Sequence, residues 1–122
     1  MELNEYQDKA MTTCMPSSDN FAYMMLNLVG EVGEFSSKMA KAIRKEQLSV
    51  DENSLSTSTK DMIKVGVLLE NDVKQELGDI CWQVAGLCRV MGWTLEEVCQ
   101  ANLDKLASRQ NRGVIDGNGD NR

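Results

Sequence analysis

The residues of this 122-residue chain best able to do chemistry are four carboxylates in two pairs, Glu31-Val-Gly-Glu34 and Glu76-Leu-Gly-Asp79. The members of each pair stand three residues apart, so on a helix they are neighbours on one face. Like charges at that spacing disfavour their own helix by about 0.2–0.5 kcal/mol, and burying them uncompensated would cost far more. A solvated acidic surface avoids the second penalty. A bound cation relieves both. Gly30, Gly33 and Gly78 interrupt the same segments, each at about 1 kcal/mol relative to Ala. A missing side chain beside a carboxylate would let another helix or a ligand approach closely.

The donor set narrows the chemistry. The chain contains no His, which removes His-activated nucleophiles, His-containing zinc sites and the Glu-x-x-His sites of di-iron bundles. Cys14, Cys81, Cys88 and Cys99 form no Cys-x-x-Cys pair. The last three lie in helical patterns, where the expected role is a small buried hydrophobe. Four oxygen donors without His or Cys suit a hard cation, and Mg²⁺ or Mn²⁺ is expected. Because Mg²⁺ usually keeps positions for water and substrate phosphates, the pairs point toward phosphate chemistry.

Helices must position these residues. A first helix is expected from Leu3 to about Met11, ending near Pro16. Ser17, Ser18 and Asp19 are N-cap candidates for a long second helix to about Lys45, with the stripe Phe21, Met25, Leu28, Val32, Phe35, Met39 and Ile43. Residues 46–60 turn polar and read as a loop or insertion. In the third helix Val73, Leu77, Ile80, Val84, Leu87 and Met91 keep the helical rhythm until Gly92. The segment from Asp61 to Glu70 is less regular and fits either a separate short helix or the start of one long helix. Thr94 and Glu97 form a capping-box pattern for a fourth helix to about Gln110. At about 100° per residue, Glu31 falls beside the edge formed by Leu28 and Phe35, and Glu76 at the margin of the Val73-Ile80-Leu87 stripe. Both would then face a neighbouring helix. The expected fold is all-α, a four- to five-helix bundle over residues 1–112, with a flexible tail over 113–122. Asp116, Asn118 and Asp120 do not make a calcium loop, since Asn121 stands where that loop needs Gly and no bidentate Glu follows.

Nineteen acidic against thirteen basic residues give a net charge of −6, which disfavours a nucleic acid polymer as partner. No apolar run is long enough for a membrane span and the first residues do not resemble a signal peptide, so a cytoplasmic location is expected. A thin bundle of this length buries little surface alone, and a homodimer or homotetramer is expected.

At the two acidic pairs the chain resembles the MazG-like, all-α nucleoside triphosphate pyrophosphohydrolases, whose signature is Glu-x-x-Glu followed by Glu-x-x-Asp on two helices. The resemblance spans roughly Leu3 to Arg112. It implies that Glu31, Glu34, Glu76 and Asp79 ligate metal, and that water attacks the α-phosphorus to release monophosphate and pyrophosphate in nucleotide-pool house-cleaning. Glu34 or Glu76 is the candidate catalytic carboxylate. Asn102, Lys105 and Arg109, spaced to share a face, look like the family's phosphate-binding residues on the following helix. The family's base pocket points to Gln7, Phe21, Asn27 and Trp82, and for Phe21 and Trp82 core packing is the alternative. Lys38, Lys41 and Arg44 fit either a solvated face or an approach to the triphosphate. The chain departs from the family in the forty-one residues between Glu34 and Glu76, longer than a typical connection. Doubling a loop costs only about 0.6 kcal/mol, so the site itself is not endangered. The competing class is a non-enzymatic, homo-oligomeric helical adaptor or nucleotide-binding protein.

Overall fold

The computed structural model describes residues 1–52, 55–57 and 62–122, with residues 55–57 and 62–69 described by backbone alone. Four helices carry the chain: α1 (Leu3–Met11), α2 (Phe21–Arg44), α3 (Met62–Val90) and α4 (Leu95–Asn111). Each starts or stops on local chemistry. Pro16–Ser18 forms a 3₁₀ turn, and Asn20 rather than the preceding Ser or Asp residues caps α2, its Oδ1 accepting from the Tyr23 amide at 2.9 Å. Asp19 instead pairs with Arg89 at 3.3 Å. Gly92, at φ +78°, ends α3 in the left-handed conformation. The Thr94 hydroxyl then accepts from the Glu97 amide at 3.1 Å to open α4. Of the irregular segment from Asp61 to Glu70, residues 62–70 belong to α3, which is one continuous helix, and Asp61 lies outside the described residues.

The polar stretch after α2 is not simply a loop. Leu48–Val50 (β1) pairs antiparallel with Leu55–Thr57 (β2), with Leu48 opposite Thr57 and Val50 opposite Leu55. Leu48 is buried, and the hairpin leans on α2 and α3. Its alternation of Leu or Val with Ser is a strand signal only three residues long on each side, too short to stand out from polar neighbours.

Helices α2 and α3 form the main pairing and run antiparallel, since Glu31 meets Glu76 at one end while Met24 meets Gly86 at the other. A Cβ on Gly86 would sit 2.5 Å from Met24 Sδ, so this glycine is the close-approach position of the pairing. A Cβ at Gly33 or Gly78 would meet nothing within 4 Å, so among the described residues no neighbouring helix approaches these glycines, and of the two expectations the approach of a ligand is the one left open. The core gathers Met11, Met24, Ala85, Cys88 and Leu95, with Tyr6, Ala10 and Trp82 packed around it. Cys88 fills the expected role of a buried thiol, whereas Cys81 is exposed.

The buried faces lie closer to the carboxylates than the apolar rhythm predicts. On α2 the buried residues are Met24 and Ala42, while Met25, Val32 and Ile43 of the expected stripe are exposed. On α3 Glu76 and Gln83 are buried and Leu77 is exposed. Helix α2 is thus turned about its axis toward its acidic residues, leaving part of its apolar stripe uncovered, whereas α3 also buries Ala85 and Cys88 on another face.

Candidate metal centre

Helix α2 presents Asn27, Glu31, Glu34 and Lys38 along one flank, because steps of three and four residues keep them on one side of the helix. With about 100° per residue, Glu31 and Lys38 lie roughly 20–40° from the buried meridian of Met24 and Ala42, and Glu34 roughly 80° away. From α3, Glu76 projects into the same seam. One carboxylate oxygen from each of Glu31, Glu34 and Glu76 falls within 4.8 Å of the other two, in a geometry that could hold a metal ion.

The three environments differ. Glu34 is exposed and Glu31 partly covered, whereas the Glu76 side chain is only 6% exposed. Burial pushes the Glu31 carboxyl above its ordinary range, and the charges of Glu34 and Asp79 push it further. A hydrogen bond from Asn27 Nδ2 to Glu31 Oε1, at 3.2 Å, opposes this and orients the carboxylate. Glu76 Oε1 is paired with the Lys38 ammonium, and that hydrogen bond raises the lysine above its ordinary value. Glu76 Oε2 is buried with no hydrogen-bond partner among the described residues. A buried, unpartnered carboxylate oxygen is costly, and a hard cation is the ligand that satisfies it. The trio, all oxygen and without His or Cys, fits such an ion.

Asp79 stands apart from this trio. It is exposed, and it acts on the cluster through its charge on Glu31. Lys38, left open between a solvated face and a phosphate contact, instead reaches across the seam to α3. Gln83 carried no signal in the sequence beyond its helical position. It lies two turns beyond Glu76 on the same side of α3, buried, with Oε1 lacking a partner among the described residues.

The other expected binding residues are placed elsewhere. Gln7 is buried, and its amide is committed to the fold. Nε2 donates to the carbonyls of Ala85 and Trp93, each at 3.1 Å, and Oε1 accepts from the Leu95 amide at 2.9 Å. It therefore ties α1 to α3 and to the first turn of α4. Trp82 Nε1 donates to Ala10 O at 3.1 Å and Thr13 Oγ1 at 2.9 Å, which makes it a packing residue between α3 and α1. Phe21 is half exposed at the start of α2.

On α4, Asn102 is exposed, and Lys105 and Arg109 meet the tail. Asp120 Oδ1 accepts from Arg109 at 2.9 Å and from Lys105 at 3.3 Å. Among the described residues no hydrogen bond or ion pair links α4 to the acidic trio. The tail, expected to be flexible, folds back on itself. Arg122 donates to the carbonyls of Val114, Ile115 and Gly119, and its own carbonyl accepts from Arg112 at 2.7 Å.

An antiparallel pair of long helices, one carrying Glu-x-x-Glu and the other Glu-x-x-Asp, defines an all-α protein with an acidic cluster that could hold a metal ion. Residues 20–114 match the family described as MazG nucleotide pyrophosphohydrolase domain, and the chain belongs to that family. Gene 37 protein of Mycobacterium phage L5 is 35% identical over 130 residues, an alignment covering 100% of both chains. No solved structure matches the chain. Family membership supports a nucleotide pyrophosphohydrolase type of function. No described helix is long and apolar enough to cross a membrane.

Proposed function

We propose that the chain hydrolyses a nucleoside triphosphate to a nucleoside monophosphate and pyrophosphate, with Glu31, Glu34 and Glu76 holding Mg²⁺ or Mn²⁺ and Asp79 completing the charge of the site. The observation that carries this reading is that Glu31, Glu34 and Glu76 each bring a carboxylate oxygen within 4.8 Å of the other two, while Glu76 Oε2 is buried without a hydrogen-bond partner among the described residues. When bound, the divalent ion would supply charge neutralisation for the triphosphate oxygens. The protein's own groups do the rest. Asn27 fixes Glu31. Glu34, the most exposed of the three, is the carboxylate we assign to take a proton from the attacking water. That water oxygen bonds to the α-phosphorus as the bond to the bridging oxygen breaks, and the pyrophosphate leaves with that oxygen.

Glu76 is the alternative base, but its burial and its pairing with Lys38 suit a ligand better than a proton acceptor. Lys105 and Arg109 reach a phosphate only once Asp120 gives way, with Asn102 beside them on α4. Removal of damaged or surplus triphosphates in the cytoplasm is the cellular role that accords with this chemistry.

The assembly we propose is a homodimer or homotetramer. Among the described residues Met24 is the large side chain that is fully buried, while Leu26, Val29 and Val32 on α2 are exposed. An open apolar groove of about 560 Å³ runs between Phe35, Met39, Ile43, Val50 and Val73. A second copy covering these surfaces would supply the burial that a chain of this size lacks.

The test is a screen of natural and modified nucleoside triphosphates with Mg²⁺, following monophosphate and pyrophosphate by chromatography. Production of both, abolished by EDTA and restored by Mg²⁺, is the expected result. Full activity in two or more of Glu31→Gln, Glu34→Gln, Glu76→Gln and Asp79→Asn would overturn the site. No product and no nucleotide-induced stabilisation would favour a helical adaptor.

A further inference from the structure

Lys38 is the residue of this seam whose position is not explained by ligation. It follows Glu34 by one helical turn and leaves α2 on the same flank, bringing its ammonium to Glu76 at the edge of the acidic trio. Its partner Glu76 is 6% exposed and fixed in the seam, whereas the Lys38 side chain is 43% exposed on a flexible four-carbon stem. Of the two, only the lysine can leave without uncovering a buried group. A divalent ion among the same carboxylates would share Glu76's charge, weaken its hold on the ammonium and repel it. The ammonium has somewhere to go. Lys38 and Lys41, with Glu34 and Ser37, wall an open recess of about 270 Å³ directly beside the trio. Two ammonium groups there would meet an anion that is simultaneously in contact with the cation's ligands.

We propose that Lys38 is the exchangeable counter-ion of the acidic centre, pairing with Glu76 until a divalent cation takes over that charge, and then pairing with the polyphosphate chain of the substrate. The inference rests on the metal-centre reading above, and it assigns to one side chain opposite effects on two ligands. In the first state Lys38 competes with the metal. In the second it recruits the phosphates.

Binding of Mn²⁺ alone, followed by loss of the free-ion electron paramagnetic resonance signal, tests the first state in wild type, Lys38→Met and Lys38→Arg. Lys38→Met is expected to bind Mn²⁺ roughly threefold to tenfold more tightly, because a competing cation is gone. Lys38→Arg, which keeps the charge, should stay within about twofold of wild type. Calorimetric titration of inorganic tripolyphosphate at saturating Mn²⁺ tests the second state, and Lys38→Met should bind it roughly tenfold more weakly. Mn²⁺ affinity that is unchanged or lower in Lys38→Met overturns the proposal, since the lysine would then orient Glu76 rather than leave it. Unchanged tripolyphosphate affinity overturns it as well. If wild type itself fails to bind Mn²⁺, the metal centre falls together with the exchange; if wild type binds and the variants do not differ, the exchange alone falls.

Discussion

The molecule holds two clusters of charge, one in the seam of α2 and α3 and one where α4 meets the tail, and they are satisfied to different degrees. In the seam, among the described residues, Lys38 pairs with Glu76 of the trio Glu31, Glu34 and Glu76, and one buried oxygen of Glu76 has no hydrogen-bond partner. At the end of α4, Lys105 and Arg109 close on Asp120, and Arg122 stitches the same tail onto its own carbonyls. Arg109 Nε is also buried without a partner, but the guanidinium's charge is met at 2.9 Å. The difference teaches which charges are held in reserve for a ligand. A cluster with unbalanced charge in a covered seam gains from an added ion, whereas a cluster already closed by the chain must first release a group of its own.

The largest expected effect separates the two clusters directly. Glu34→Gln and Glu76→Gln should each lower turnover by about a hundredfold or more, a barrier increase of about 2.7 kcal/mol, with helix content retained by circular dichroism. If Asp120→Asn were equally damaging, the clusters would be equivalent and the comparison would break. Next in size is a stability effect. Gln7→Ala removes three hydrogen bonds, two buried and one partly so, and should cost about 2–3 kcal/mol in denaturant unfolding. A change near zero would return Gln7 to the ligand-binding candidates.

Smaller is the effect of opening the tail. Asp120→Asn is expected to lower the KM for the triphosphate by roughly threefold with kcat unchanged, because a carboxylate competing for Lys105 and Arg109 loses its charge. An unchanged KM would remove those two residues from substrate binding. The smallest effect is a titration. The hydrogen bond from Arg109, and then that from Lys105, hold the Asp120 carboxyl below its ordinary value of 3.8. A depressed carboxyl contributes its contact above the ordinary value and loses it as pH falls through the lower folded one. Side-chain NMR shifts of Asp120 and Arg109 should therefore move together only below that ordinary value. Joint movement near neutrality would show that the clasp is not an ion pair.

Much of this arrangement was legible in the residues themselves. Helical periodicity located the four helices, Thr94 announced the start of α4, and Gly92 the end of α3. The acidic pairs stood out because three-residue spacing is costly for like charges unless something compensates it. Local signals do not reach across the chain, and the rest was hidden for that reason. The hairpin at Leu48–Val50 and Leu55–Thr57 is too short to show a period. Gln7 reads as an ordinary polar residue until Ala85, Trp93 and Leu95 are brought around it.

Which carboxylates meet, and in what company, was decided only in three dimensions. Spacing alone places Glu31 beside Glu34 and Glu76 beside Asp79, each on its own helix. The antiparallel packing of α2 on α3 brings an oxygen of Glu76 within 4.8 Å of oxygens of Glu31 and Glu34, buries Glu76, and delivers Lys38 to one of its oxygens. The fold-back of the tail likewise puts Asp120 on Lys105 and Arg109, which share a face in sequence but owe their present partner to the chain's return. Sequence determined the type and periodicity of the charges, because those follow from the geometry of a single helix. Tertiary structure determined their pairing, because electrostatic partners depend on distance through space rather than along the chain.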